Sequence, residues 1–189
     1  MNFSVALWTV ILLFPAGEIG LSIMRRARSG IVRREDGGSI GLLWLVILAS
    51  VAIATTGQWV AGLRLPAPGW FLRGLAFALL VSGLTLRWVA IVSLGRFFTV
   101  DVAIHEGHAL VDQGVYRYAR HPSYTGLLMA FAGLGIFFGN WISLFALTVP
   151  IGAAVLVRIR REEAALIEAL GDSYAAYCSR TKRLVPGVY

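Results

Sequence analysis

The sequence predicts an all-α fold: a polytopic membrane bundle of about five transmembrane helices, the last two a short hairpin, completed by a cytoplasmic loop and a C-terminal helix. Three observations predict it. The 189 residues are 58% hydrophobic and only 14% charged, with a mean hydropathy of +0.74. A soluble domain of this length has too little interior to hide so much apolar surface. The apolar residues fall into five runs, and the basic residues concentrate in the segments that flank those runs. A single membrane domain over 1–189 is expected, with three spans in 1–94 and two more in 95–189.

The runs cover residues 5–24, 40–63, 70–94, 124–138 and 141–157. The first three reach the roughly 20 residues a bilayer requires. The last two are shorter, about 22–26 Å each as helices, and Gly139-Asn140 joins them as a tight turn. Pro66, Pro68 and Gly69 mark the turn between the second and third runs. Trp59 and Trp70 flank that turn as interfacial anchors. Beyond the fifth run, the tail from Arg158 reads as a continuation of the same helix. Leu166, Ile167, Leu170, Tyr174 and Tyr177 recur along it at three and four residues as an amphipathic stripe. That stripe suits the bilayer surface and the long loop over residues 95–121 equally well.

Charge sets the orientation. Fourteen Arg and Lys residues follow the first, third and fifth runs, only Arg64 and Arg73 lie on the other side, and Arg87 sits inside a run. The positive-inside bias then puts the N-terminus outside and the C-terminus in the cytoplasm, in an inner membrane or an endomembrane according to the source cell. No basic residue precedes the first run and no small-residue cleavage site follows it, so an uncleaved span is expected. The net charge of +7 belongs to this pattern of topology and lipid-headgroup contact, and nucleic acid is not an expected partner. The lone Cys178 excludes an internal disulfide.

Two polar islands interrupt the apolar chain on the cytoplasmic side: residues 114–124, with Tyr116, Arg120, His121 and Tyr124, and residues 158–163, with Arg158, Glu162 and Glu163. Titratable side chains at a membrane border are costly unless they bind something polar. Arg158 and Glu162 share a helix face at i,i+4, which by itself describes an ordinary surface salt bridge. The place where the fifth run leaves the membrane suits Arg158 to a carboxylate or phosphate. Glu162 is placed to accept from an ammonium or a ribose hydroxyl, while Glu163 points to another face as charge balance. His121-Pro122 opens a helix with proline in its first turn. Singly, His121 and the three tyrosines Tyr116, Tyr118 and Tyr124 read as backbone satisfaction and an aromatic belt; their convergence with Arg120 argues for a site. Glu18 and Arg87 lie at similar depth, and three readings stay open: a buried pair, Arg87 snorkelling with Glu18 protonated, or a direct functional role. Gly133, Gly135 and Gly139 mimic a nucleotide loop but follow no strand, so close helix packing, also through Gly126 and Ala130, is expected. His105, Glu106 and His108 lack a second ligand cluster, and no metal site is expected.

The run His108-Ala109-Leu110-Val111, then Gly114-Val115-Tyr116, then Arg120-His121-Pro122-Ser123-Tyr124-Thr125-Gly126 resembles the isoprenylcysteine carboxyl methyltransferase family. So do Arg158-x-x-x-Glu162-Glu163, Leu166, Gly171-Asp172-x-Tyr174-x-x-Tyr177 and Pro186. The resemblance covers roughly residues 94–189 and implies a five-helix membrane enzyme that uses S-adenosyl-L-methionine without a Rossmann domain. It implies cofactor contacts at His108, Ala109, Leu110, Val111, Tyr116, His121, Pro122, Ser123, Tyr124 and Glu162, with Arg158 as the catalytic and substrate-binding arginine. Asp101 stands where the family places another polar cofactor contact, and there the sequence departs from the pattern. The implied reaction is methyl transfer to a lipophilic carboxylate, isoprenylcysteine-like, that enters from the bilayer among membrane lipids and leaves as a methyl ester. Three alternatives stay open on the sequence: a phospholipid or amine methyltransferase, a membrane reductase of the sterol type, and a non-catalytic scaffold.

Overall fold

The computed structural model describes residues 31–34, 38–60, 62–95, 103–105 and 110–187. Among the described residues five α-helices carry the architecture: α1 (Ser39–Gly57), α2 (Gly69–Leu94), α3 (Pro122–Phe137), α4 (Trp141–Leu170) and α5 (Asp172–Arg180). Two short strands, β1 (Ile31–Arg34) and β2 (Ala103–His105), form an antiparallel pair with Ile31 opposite His105, Arg33 opposite Ile104 and Arg34 opposite Ala103. A register irregularity falls between Ile31 and Arg33. This pair adds to the helical bundle; a three-residue strand is too short to show a period in sequence. The expected span at 5–24, with Glu18, lies outside the described residues, as do Asp101, His108 and Ala109.

Helices α1, α2 and α4 are long and apolar enough to cross a membrane, with 19, 26 and 30 residues. Helix α3 has 16 residues, about 24 Å of rise, so the fourth run is short as expected. The fifth is not. Helix α4 continues without a break from Trp141 past the apolar run to Leu170, and its final turns stand beyond the apolar stretch. Asn140 starts it, accepting from the Ile142 N–H at 2.8 Å and donating to the Val60 carbonyl at 3.3 Å while fully buried. The Leu65 N–H to the Gly139 carbonyl and the Trp141 N–H to the Leu63 carbonyl, both 2.9 Å, tie this turn to the α1–α2 connection. Gly139 takes φ +65° there, which explains the glycine. Trp59 and Trp70 at the same end are 82% and 76% exposed, as membrane-border anchors require.

Helix α2 packs on α3, α3 on α4, and α4 on α1. The main core is built around Leu127, Phe131, Leu147, Ile151, Val155 and Ile159, with Leu43 and Ala54 from α1. Glycines set the α2–α3 distance. A Cβ on Gly83 would lie 2.6 Å from the Gly126 carbonyl oxygen, and one on Gly126 would overlap the Gly83 oxygen. A Cβ on Gly133 would fall 2.8 Å from the Ala76 oxygen, so the glycine-rich run serves helix packing as its apolar setting predicts. Arg87 is buried on this interface and donates to the Ser123 carbonyl at 3.3 Å and hydroxyl at 2.9 Å. It therefore does not snorkel.

The tail corrects one expectation. The stripe from Leu166 to Tyr177 is not one helix, because Gly171 takes φ +54° and both ends α4 and starts α5. Ile167 is 50% exposed, whereas Tyr174 and Tyr177 are buried. Helix α5 docks on the long loop through the Tyr177 hydroxyl, which donates to the Tyr116 carbonyl at 2.6 Å.

The α2–α3 contact predicts a sharp contrast between two glycines. Gly126→Ala must push α2 and α3 apart and should cost about 1–3 kcal/mol. Gly152→Ala, whose added Cβ would meet only Leu128 at 4.0 Å, should be neutral or mildly stabilising. Thermal melting in detergent compares the two, and equal melting temperatures would remove the close-contact account.

Candidate active site

The polar islands converge where α3 begins. Pro122 occupies the first turn of α3, where its missing N–H costs nothing, and His121 precedes it as the cap residue. One turn in, the Tyr124 hydroxyl donates to Glu162 Oε2 at 3.1 Å and accepts from Arg158 Nε at 3.1 Å. Arg158 is only 3% exposed and also donates from a terminal nitrogen to the Ser39 hydroxyl at 3.0 Å, at the start of α1. Glu162 stands one turn nearer to water, its side chain 34% exposed. The two residues do share a face of α4, but they meet through Tyr124.

Glu163 is where the sequence reading fails. Its carboxylate is buried, not a surface charge balance. Arg120 Nε reaches it at 2.9 Å, Arg183 at 2.9 and 2.8 Å, and His121 Nε2 at 3.3 Å. Burial opposes the charge, yet hydrogen bonds from His121, Arg183 and Arg120 outweigh it and bring the carboxyl down to about 2. The same cluster fastens a C-terminal strap. Lys182 bridges in parallel to Ala119, the Arg120 N–H donates to the Lys182 carbonyl at 2.8 Å, and the His121 N–H donates to the Arg183 carbonyl at 2.9 Å. The Thr125 hydroxyl donates to the Leu184 carbonyl at 2.8 Å, and Leu184 enters the core. A terminal nitrogen of Arg120 also donates to the Cys178 carbonyl at 3.0 Å and to that of Thr181.

The other sequence-predicted residues take different places. Tyr116, on a short 3-10 turn (Gly114–Arg117), is buried with its hydroxyl toward the Ala90 carbonyl at 3.3 Å. Burial raises its pKa, and the nearby Glu162 charge raises it further, which sets this tyrosine beside the cluster. Burial pushes the Tyr177 hydroxyl up to about 12, so it stays a donor at neutral pH. Pro122 and Ser123 are buried in the first turn of α3, with Ser123 held by Arg87. Leu110 and Val111 line a cleft of about 340 Å³ with Ser93, Asp112, Gln113 and Gly114. An ion pair from Arg180 to Asp112 ties one wall of that cleft to α5. Tyr118 is exposed. Glu163, Arg183 and Ser39 escape sequence reasoning; the one available signal is that Arg120, His121 and Arg183 outnumber the acids near them.

Residues 75–168 match the sequence model of the isoprenylcysteine carboxyl methyltransferase (ICMT) family. Over those residues the chain is similar to this family. Protein-S-isoprenylcysteine O-methyltransferase B of Arabidopsis thaliana is 35% identical over 121 residues, which cover 63% of this chain and 61% of that one. The Schizosaccharomyces pombe protein-S-isoprenylcysteine O-methyltransferase is 34% identical over 113 residues, 59% of this chain and 48% of that one. The chain thus matches about half to three fifths of these relatives' length. The solved structure of the eukaryotic intramembrane Ras methyltransferase ICMT superposes with a TM-score of 0.61 at 24% identity, covering 77% of this chain and 52% of that one. This likeness supports the multi-pass membrane fold.

The Glu163 cluster should govern acid stability. Its folded carboxyl lies below the unfolded value of 4.5, so its contribution is whole above that value and is lost as pH falls toward 2. Glu163→Ala leaves the part-buried Arg120 without its carboxylate and should cost about 3 kcal/mol at neutral pH. The variant's melting temperature should also fall less steeply than the parent's between pH 5 and 3. Parallel pH profiles for the two proteins would contradict the assignment.

Proposed function

We propose that the chain is a methyltransferase that uses S-adenosyl-L-methionine and forms a methyl ester on the carboxylate of a lipophilic, isoprenylcysteine-like acceptor. The observation that carries this reading is Arg158: a buried cation at the end of an apolar helix, braced by Tyr124 and Ser39. A guanidinium is a forked donor suited to a carboxylate, and at a bilayer border a lipid-borne acid can reach it without leaving the apolar phase.

The residues on the cytoplasmic side suit the cofactor. Glu162 has acceptor capacity for ribose hydroxyls beyond the one bond it takes from Tyr124. The cleft beside Leu110 and Val111 offers apolar walls with the polar groups of Ser93, Asp112 and Gln113. His108 and Ala109, which precede Leu110 in sequence, belong to the same proposed set of cofactor contacts. When bound, S-adenosylmethionine supplies a methyl group on a cationic sulfur, so a carboxylate oxygen takes it in one displacement and no proton has to move. The protein's share of the work is then alignment and exclusion of water. Arg158 holds the acceptor carboxylate, and its depth in the core keeps that carboxylate poorly hydrated. Ser39 and Tyr124 fix the plane of the guanidinium. His121, Pro122 and Ser123 shape the start of α3, and Tyr116 closes the floor against α2. The acceptor enters between helices from the lipid, and the N-terminus lies outside with the C-terminus in the cytoplasm.

Two measurements test the proposal. Calorimetry of S-adenosylhomocysteine on the detergent-purified protein should show binding that Glu162→Ala weakens. Transfer of labelled methyl to an S-farnesylated N-acetylcysteine should give a product that mild alkali hydrolyses. Arg158→Ala should lower kcat/KM for this acceptor by about 10- to 100-fold, the worth of one charged hydrogen-bonding contact. A base-stable product, or transfer unaffected by Arg158→Ala, would sink the carboxylate reading.

A further inference from the structure

The geometry points to Tyr124 as a positioning residue that makes cofactor and acceptor bind cooperatively, and this inference rests on the function proposed above. The Tyr124 hydroxyl is the shared partner of the two halves of the site. It has one proton, and that proton is given to Glu162 Oε2 at 3.1 Å. Its lone pairs therefore face Arg158 Nε, also at 3.1 Å. A hydroxyl that donates to an anion while accepting from a cation is polarised in the same sense by both, so each bond strengthens the other. Fixing either end fixes the other. An acceptor carboxylate that immobilises Arg158 also immobilises Tyr124, and through it the Glu162 carboxylate that the cofactor meets. Glu162 is partly exposed, so it has rotamer freedom to lose. A cofactor that finds it already ordered loses less on binding. Reciprocity requires the cofactor to favour the acceptor by the same factor.

The coupling belongs to the hydroxyl rather than to the ring. Tyr124→Phe keeps the ring against His121, whose centroid is 5.8 Å away. It leaves Arg158 its bond to Ser39 and Glu162 its access to water. Cooperativity is thus read as a ratio of two affinities in one and the same protein.

The experiment titrates S-adenosylhomocysteine into the full chain in nanodiscs, alone and with saturating S-farnesylated N-acetylcysteine, a pair that cannot react. In the parent protein the acid should tighten homocysteine-compound binding by about five- to tenfold. The matching primary amide, which lacks the carboxylate, should leave it unchanged. In Tyr124→Phe the enhancement by the acid should disappear, whatever the change in affinity for either ligand alone. Enhancement that survives Tyr124→Phe would overturn the role of Tyr124. Independent or antagonistic binding in the parent, or an amide as effective as the acid, would overturn the coupling and leave the methyltransferase reading intact. These parent-protein arms decide the matter even where the variant fails to fold. If S-adenosylhomocysteine does not bind the parent at all, the proposed function falls and this inference with it.

Discussion

A single buried carboxylate decides where the polar end of this bundle can go. Glu163 accepts from Arg120, His121 and Arg183, which come from the end of the long loop, the cap of α3 and the C-terminal strap. No apolar contact would specify that meeting so narrowly, because leucines and valines pack in many registers. An anion removed from water at the membrane border tolerates few arrangements: its partners must arrive together and with the right direction. The start of α3, and with it Tyr124, is therefore placed by ionic matching at one end. At the other end the glycine contacts with α2 set how close the helices lie.

These two constraints meet at Ser123. The near-contact of Gly83 with Gly126 brings α2 close enough for Arg87 to reach the Ser123 hydroxyl and carbonyl. The first turn of α3 is then held by a cation from inside the bundle and, through His121, by an anion from the water side. A turn gripped from both directions is a rigid platform, and it is this turn that presents Tyr124 between Arg158 and Glu162. Exposed apolar positions such as Leu45, Leu48 and Val92 carry no such demands.

The bundle was legible because hydropathy and charge asymmetry report the physics of insertion directly. Helices begin within two residues of runs two to five, though α1 stops at Gly57 and α4 runs on to Leu170, and the tight Gly139-Asn140 turn follows from glycine's left-handed φ. The Arg158 and Glu162 face was legible from helical spacing. Glu163 was not, because adjacent residues on a helix differ by about 100° and nothing in the spacing says which face is buried. The strap was invisible for another reason: its bonds to Ala119, Arg120 and His121 are made by backbone carbonyls, which every sequence possesses. The break at Gly171 was hidden inside an apolar period that runs smoothly across it. Periodicity records which residues want burial, not whether one helix delivers them.

Helix α4 runs unbroken from Trp141 to Leu170, and so it works as a ruler fastened in two solvents. Arg158 and Glu162 are one turn apart on the same rod, about 6 Å along its axis. A thinner or thicker bilayer is accommodated by tilt of the whole rod, which leaves the interval between two of its own residues unchanged. Membrane thickness then acts on which lipid-borne groups lie level with Arg158, and not on the spacing inside the site. On the function proposed, selection by depth is in this way separated from the geometry of the chemistry, and the same internal spacing carries over between membranes of different composition.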